Sequence, residues 1–176
     1  SAASDVYKRQ AYNNAGFGLW SDSLERYHAN PVVNAVVMLL IVMGGLGWRV
    51  TSDLVGLGFR RGRRRPSLHT RLVLRTTLLL IAFGTLGLAV TEWLNRGEVF
   101  IEMAWPERWM TALFESVTAR TAGFTTVPFS LENITDSGTL LLMALMFIGA
   151  SPGGTGGGIK TCLLYTSDAA DARDSV

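Results

Sequence analysis

The sequence predicts an all-α integral membrane protein built from helix–pore-loop–helix units. Three observations carry that expectation. Apolar residues are gathered into long runs, and the mean hydropathy of +0.27 is high for a water-soluble domain. A short motif occurs twice, as Asn13-Asn14-Ala15-Gly16-Phe17 and Arg120-Thr121-Ala122-Gly123-Phe124, each time ahead of an apolar stretch that ends in glycine. A motif repeated with its flanking hydropathy marks an internal repeat. Third, the glycine-rich run Ser151-Pro152-Gly153-Gly154-Thr155-Gly156-Gly157-Gly158-Ile159-Lys160-Thr161 follows an apolar helix. Glycine and proline are the poorest helix formers, so no ordinary spanning helix tolerates that run. Non-helical backbone at membrane depth persists only where protein buries it or a cavity wets it.

The elements follow in chain order. Residues 1–10 are polar and lack the apolar core of a signal peptide. Asp5 to Gln10 resembles sequencing-adapter read-through, so this segment is expected to be a non-native tail. Residues 11–50 hold the first glycine loop and then Pro31 to Leu46, apolar apart from Asn34. Extended to Val50 the stretch is ~20 residues, enough to cross a hydrocarbon core of ~30 Å. Asn34 is expected to form an interhelical hydrogen bond. Residues 51–71 are a basic linker. Arg49, Arg60, Arg61, Arg63, Arg64, Arg65, Arg71 and Arg75 face the single acid Asp53. No aromatic residues interleave with them, which argues against nucleic acid, and the position between two apolar segments fits a cytoplasmic loop under the positive-inside rule. His69 lies here without neighbours that suggest a metal.

Residues 72–161 form the longest unit. Leu72 to Leu94 is the second candidate span, with Trp93 as an interfacial anchor. The first span then runs outside to inside, the second returns, and Asn95 to Pro106 lies outside. Trp105-Pro106 marks a break. Glu107 to Thr118 is a short helix with Trp109, Leu113, Phe114 and Val117 at helical spacing, too short to span. Gly138 to Ala150 is apolar and short, and its Leu140 to Phe147 stripe is helix packing. Residues 162–176 turn polar and acidic, with Asp168, Asp171 and Asp174, and are expected to be a second non-native tail. The single cysteine, Cys162, excludes an internal disulfide.

A dehydrated cation needs oxygen ligands, and rings of backbone carbonyls can supply them. Glycine suits such a loop because it reaches conformations closed to other residues. A short helix that ends at the loop adds roughly half a negative charge at its C-terminus. One glycine in an Ala-Gly-Phe would be an ordinary loop residue; two in matched context point to a shared role. The run Gly154 to Thr161 also invites a phosphate-binding reading, and hence a membrane-bound nucleotide-binding enzyme. A P-loop wants glycine directly before the lysine and a strand ahead of the loop; here Ile159 intervenes and an apolar helix precedes. Arg120 could orient the filter loop or snorkel to the interface, and a structural role is expected; Glu115 could attract cations or pair with Arg120, and the pair is expected. Lys160 has two open readings, a functional ionisable group at membrane depth or a charge at a cytoplasmic helix end. No Ser/His/Asp, Cys/His or paired-carboxylate constellation stands out, so no enzyme is expected.

Ser116 to Phe124 resembles the third filter segment of the Trk/Ktr superfamily of potassium transporters. Phe147 to Thr161 is similar to that family's interrupted helix and intramembrane gating loop. Tyr12 to Phe17 resembles its second filter, and Ser67 to Leu74 the start of its third repeat. The Ser-Pro-Gly-Gly-Thr wording is closer to the Ktr type of pore-forming subunit. The resemblance covers roughly Ala11 to Thr161. It implies an internal fragment of a four-repeat, pseudo-fourfold pore: the end of repeat 2 in residues 11–50 and repeat 3 in residues 72–161. It implies potassium uptake through a carbonyl filter to which Asn14, Ala15, Gly16, Thr121, Ala122 and Gly123 contribute. The gating loop would run through Ser151, Pro152, Gly153, Gly154, Thr155, Gly156, Gly157, Gly158 and Lys160. Potassium is the transported ion, with a sodium dependence in parts of the family, and no cofactor or resident metal is expected in this chain. Implied partners are membrane lipid, a second copy in a homodimer and a cytoplasmic RCK-type nucleotide-binding subunit. The implied location is a bacterial plasma membrane, crossed several times. The first and fourth filters and the fourth repeat's pore-facing arginine are absent, so this chain alone should not conduct. The rival expectation is a secondary transporter that binds a small anionic solute between broken helices.

Overall fold

The first element is a helix that includes the segment expected to be a non-native tail. In the computed structural model, which describes residues 2–19, 23–59, 66–95, 103–127 and 134–160, α1 spans Ala2–Tyr12. Tyr7 and Ala11, one turn apart, are buried. The Tyr7 ring lies 6.1 Å from that of Phe124. α1 therefore occupies the place of the short helix ahead of Gly16. Its buried stripe is narrow and its remaining residues polar, which is why hydropathy passes over it. Residues 162–176, the other expected tail, lie outside the described residues.

A 3₁₀ turn at Glu25–Tyr27 leads to α2, Pro31–Leu46. Asn30 caps α2, its side chain accepting from the Val32 and Val33 N–H groups at 3.1 and 3.2 Å, with Pro31 at the start where no N–H is needed. The single crossing expected from Pro31 to Val50 is interrupted. α2 stops at Leu46, and α3, Trp48–Phe59, leaves at 106°. Gly47 between them has φ +83°, a left-handed conformation that glycine adopts without penalty. Apolarity continues through this break, so hydropathy alone cannot see it.

Helix α3 takes up residues 51–59 of the expected linker. Helix α4, Leu68–Asn95, begins before Leu72. Asp53 joins the two: its carboxylate accepts from the hydroxyls of Ser67 at 2.9 Å and Thr70 at 2.5 Å. The arginines at 60–65 lie outside the described residues. α4 is long and apolar enough to cross a membrane, and only 22% of its most apolar stretch is buried. Leu78, Leu79, Phe83, Leu86 and Val90 are exposed along it, an outer surface that a water-soluble protein would cover.

Helix α5, Trp105–Thr118, packs closely on α4. Gly84 makes room: a Cβ there would sit against the Ser116 hydroxyl, which donates to the Ile81 carbonyl at 3.0 Å. Small residues that let helices approach this closely are the membrane-protein solution to packing without a hydrophobic drive. Trp93, Trp105 and Trp109 stack edge-to-face where the C-terminal end of α4 meets the N-terminal end of α5. Helix α6, Asp136–Phe147, is capped by Thr135. Buried Glu92 of α4 holds that cap, accepting from the Thr135 N–H and hydroxyl at 3.3 and 2.9 Å. Among the described residues there is no β-strand, only an isolated bridge between Ile148 and Ile159.

Glycines at the helix crossings set a testable requirement. A Cβ on Gly44 would run into the Tyr12 carbonyl and the Thr155 hydroxyl, whereas one on Gly56 meets nothing within 4 Å. In a complete protein containing this chain, Gly44→Ala should destabilise by about 1–3 kcal/mol. Gly56→Ala, in an open helical site, should be neutral or mildly stabilising. Thermal unfolding in detergent compares them, and equal midpoints would contradict the packing described.

Candidate functional site

The two Ala-Gly-Phe segments adopt the same backbone pattern. Left-handed residues fall at Asn14 (φ 50°) and Gly16 (φ 70°) in one, and at Thr121 (φ 73°) and Gly123 (φ 77°) in the other. A β-branched residue such as Thr121 takes this conformation only at a cost of order 1–3 kcal/mol, and such strain persists where its surroundings enforce it. The two loops face each other. A Cβ on Gly16 would lie 2.5 Å from the Ala122 carbonyl oxygen and 2.8 Å from Gly123 Cα, and one on Gly123 would lie 3.3 Å from Gly16 Cα. At Gly16 only glycine permits that approach. Among the described residues, no hydrogen bond ends on the carbonyls of Ala15, Gly16, Thr121, Ala122 or Gly123. Helices α1 and α5 both end, at Tyr12 and Thr118, immediately before these loops. Their negative dipole ends therefore lie beside the site.

Each loop is fastened to its helix. The Thr118 hydroxyl donates to the Phe124 carbonyl at 2.7 Å and accepts from the Phe124 N–H at 3.0 Å. Glu115 accepts from the Thr126 N–H and hydroxyl, both at 3.1 Å. Between loops, the Leu24 N–H donates to the Thr125 carbonyl at 3.1 Å, and the Thr125 N–H donates to Ser23 Oγ at 3.2 Å. Phe114, Ala122 and Phe124 are fully buried with Tyr7, Ala11 and Ile41 in the core against these loops. Phe17, the counterpart of Phe124, is exposed.

The glycine-rich run lies against both loops and the broken end of α2. A helix leaves its last carbonyls without partners. Here the Ser151 and Thr155 N–H groups donate to the Gly45 and Gly44 carbonyls, both at 3.1 Å, and the Gly153 carbonyl accepts from the Trp48 N–H at 3.4 Å. The run also closes on itself, with Gly149 N–H to Ile159 O and Ala150 N–H to Gly157 O, both at 3.1 Å. Two threonines join it to the Ala-Gly-Phe loops. Thr155 Oγ1 accepts from the Asn14 amide at 2.9 Å and donates to the Tyr12 carbonyl at 3.0 Å. Thr121 Oγ1 accepts from the Gly157 N–H at 2.9 Å. The loop thus contacts both segments at once.

The residues singled out from the sequence, Asn14 to Gly16, Thr121 to Gly123 and Ser151 to Lys160, therefore meet at one place. The expected Glu115–Arg120 pair does not form. Glu115 turns toward Thr126, while Arg120, beyond the helix end, donates from Nη2 to the Gly149 carbonyl at 3.1 Å. Lys160 bends back to the Gly156 carbonyl at 2.6 Å. Asn34 binds mainly the preceding turn, donating to the Tyr27 and His28 carbonyls at 3.3 and 2.8 Å; it reaches another helix only through Met110 Sδ, at 3.8 Å. Thr126 was not singled out, because its part depends on its contact with Glu115; Tyr12, Thr118 and the Gly44-Gly45 pair stood in the sequence motifs without a role of their own.

Comparison with known proteins is consistent with this arrangement. The chain is 36% identical over 162 residues to Ktr system potassium uptake protein B of Bacillus subtilis (strain 168), covering 90% of this chain and 34% of that protein. It is 38% identical over 150 residues to the Vibrio alginolyticus protein of the same name, 85% of this chain and 32% of that one. Potassium/sodium uptake protein NtpJ of Enterococcus hirae is 36% identical over 154 residues, 88% of this chain and 33% of the relative. The chain thus spans about a third of the length of the curated relatives it matches. The fold is like that of the potassium transporter TrkH from Vibrio parahaemolyticus in its crystal structure, with a TM-score of 0.71 at 20% identity over 94% of this chain and 33% of that one. These relatives are named as transporters, not enzymes. A family model described as "TrkH: Cation transport protein" matches residues 10–170, and the chain belongs to that family of all-α membrane transport proteins.

Proposed function

We propose that this chain is the part of a potassium-uptake transporter that supplies two of its filter segments and its gating loop. The observation that carries the reading is the face-to-face approach of Gly16 and Gly123, with adjacent carbonyls free of hydrogen bonds among the described residues. Oxygens in that condition can replace an ion's hydration shell. In this reading Asn14, Ala15, Gly16, Thr121, Ala122 and Gly123 line half of a filter whose other half comes from repeats outside this chain. The C-terminal ends of α1 and α5 favour a cation. That polarity also disfavours the secondary transporter of a small anionic solute, which would aim helix N-termini at its site. The relatives' names support potassium, and NtpJ's name includes sodium.

Ser151 to Lys160 acts in this proposal as the gate. Its links to Asn14, Tyr12 and Thr121 hold it under the filter, and transport requires it to move. The membrane is taken to be a bacterial plasma membrane, crossed several times, with residues 51–71 cytoplasmic. A homodimer and an RCK-type nucleotide-binding subunit complete the proposal, both carried by the family resemblance.

Two outcomes follow for a complete transporter containing this chain. Gly123→Ser places a side chain at φ 77°, with strain of order 1–3 kcal/mol, and should lower potassium selectivity over sodium in ion-competition uptake. Unchanged selectivity would count against the filter. Deletion of Gly153 to Gly157 removes the loop's bonds to the Gly44 carbonyl and to Thr121 and should raise potassium flux; flux at or below the wild-type level would remove the gate.

A further inference from the structure

Behind the second loop sits a carboxylate with no assigned role. Glu115 is 3% exposed, and its Oε1 receives both donors of Thr126 at 3.1 Å. Among the described residues it forms no ion pair. Burying a carboxylate costs several kcal/mol unless hydrogen bonds compensate, and here both Thr126 donors supply them. What it holds is the chain just past the strained turn. Past the turn Thr121–Gly123 the chain is fixed first at Phe124 by Thr118 and then at Thr126 by Glu115. Glu115, Thr118, Thr121 and Gly123 also line one cavity of about 440 Å³.

The first loop has a tether at the same relative position. Leu19 follows Gly16 as Thr126 follows Gly123, and the Leu19 N–H donates to the Tyr7 hydroxyl at 3.2 Å. In both copies a polar side chain of the preceding helix thus takes the N–H at that point.

We infer that Glu115 is a positioning residue for selectivity: by accepting both Thr126 donors it keeps the Thr121–Gly123 turn in its left-handed conformation. The inference rests on the potassium-filter reading above. Glu115 touches no ion in it and acts through Thr126 and the backbone that Thr126 anchors.

The test uses the complete transporter in proteoliposomes, with uptake of potassium and sodium read separately. Glu115→Ala and Thr126→Val should lower the potassium-to-sodium ratio by about tenfold, the scale of a lost hydrogen bond to a charged group. Glu115→Gln keeps an acceptor oxygen for the Thr126 N–H and should restore most of the ratio. If Glu115→Ala fails to fold, Thr126→Val, which is nearly isosteric, decides. Wild-type ratios in Thr126→Val, or Glu115→Gln as impaired as Glu115→Ala, would overturn the inference while leaving the filter reading intact. A wild-type protein without potassium uptake would remove both.

Discussion

The structure depends on backbone meeting backbone with no side chains between. The glycine-rich run places its N–H groups on the Gly44 and Gly45 carbonyls, and Gly16 meets the Ala122–Gly123 backbone at a distance that no Cβ on Gly16 permits. In a hydrocarbon setting each unpaired backbone group costs several kcal/mol, so a broken helix is stable only if another segment completes it. α2 ends at Gly47 and the glycine loop supplies the donors its last carbonyls lack. The break in one helix and the irregular run after another are thus two halves of one solution. Replacing the glycines with residues that carry a Cβ would remove both halves together.

That arrangement has a consequence for transport. A loop fixed only to itself could move without affecting the rest. This one shares Thr155 with Asn14 and Tyr12, and Thr121 with Gly157. Thr121 is also the strained residue of its own turn. In the proposed mechanism, movement of the loop therefore releases a hydrogen bond on a filter residue, so that gate and filter are coupled through one hydroxyl. The two copies are not identical. Phe124 is buried while Phe17 is exposed, and the side chains that tether the loops, Glu115 and Tyr7, differ. Equivalent backbone geometry is thus held by different side chains.

Much of this was legible beforehand. The doubled Ala-Gly-Phe, the glycine run and α4 stand out because glycine and apolar runs report directly on backbone freedom and burial. Less was legible where a residue's role depends on contacts distant in sequence. The break at Gly47 falls inside a continuous apolar stretch, so only its φ and its neighbour Gly153 reveal it. Residues 1–10 were expected to be a non-native tail because Asp5 to Gln10 resembles sequencing-adapter read-through, and two buried residues in a polar segment give almost no hydropathic signal for the helix found there. Glu115 and Arg120 carry opposite charges and lie close in sequence, yet one sits on the helix and the other beyond its end, and each finds a nearer partner. Charge complementarity proposes pairs; the course of the backbone decides which are made.

The central claim is that an ion passes between the Gly16 and Gly123 loops. Anomalous diffraction from crystals of the complete transporter soaked with thallium, a heavy substitute for potassium, tests it most directly. The account predicts a peak between the two loops, within coordination distance of carbonyls in 14–16 and 121–123. Ordered protein with no peak there, or with its peak elsewhere, would contradict it.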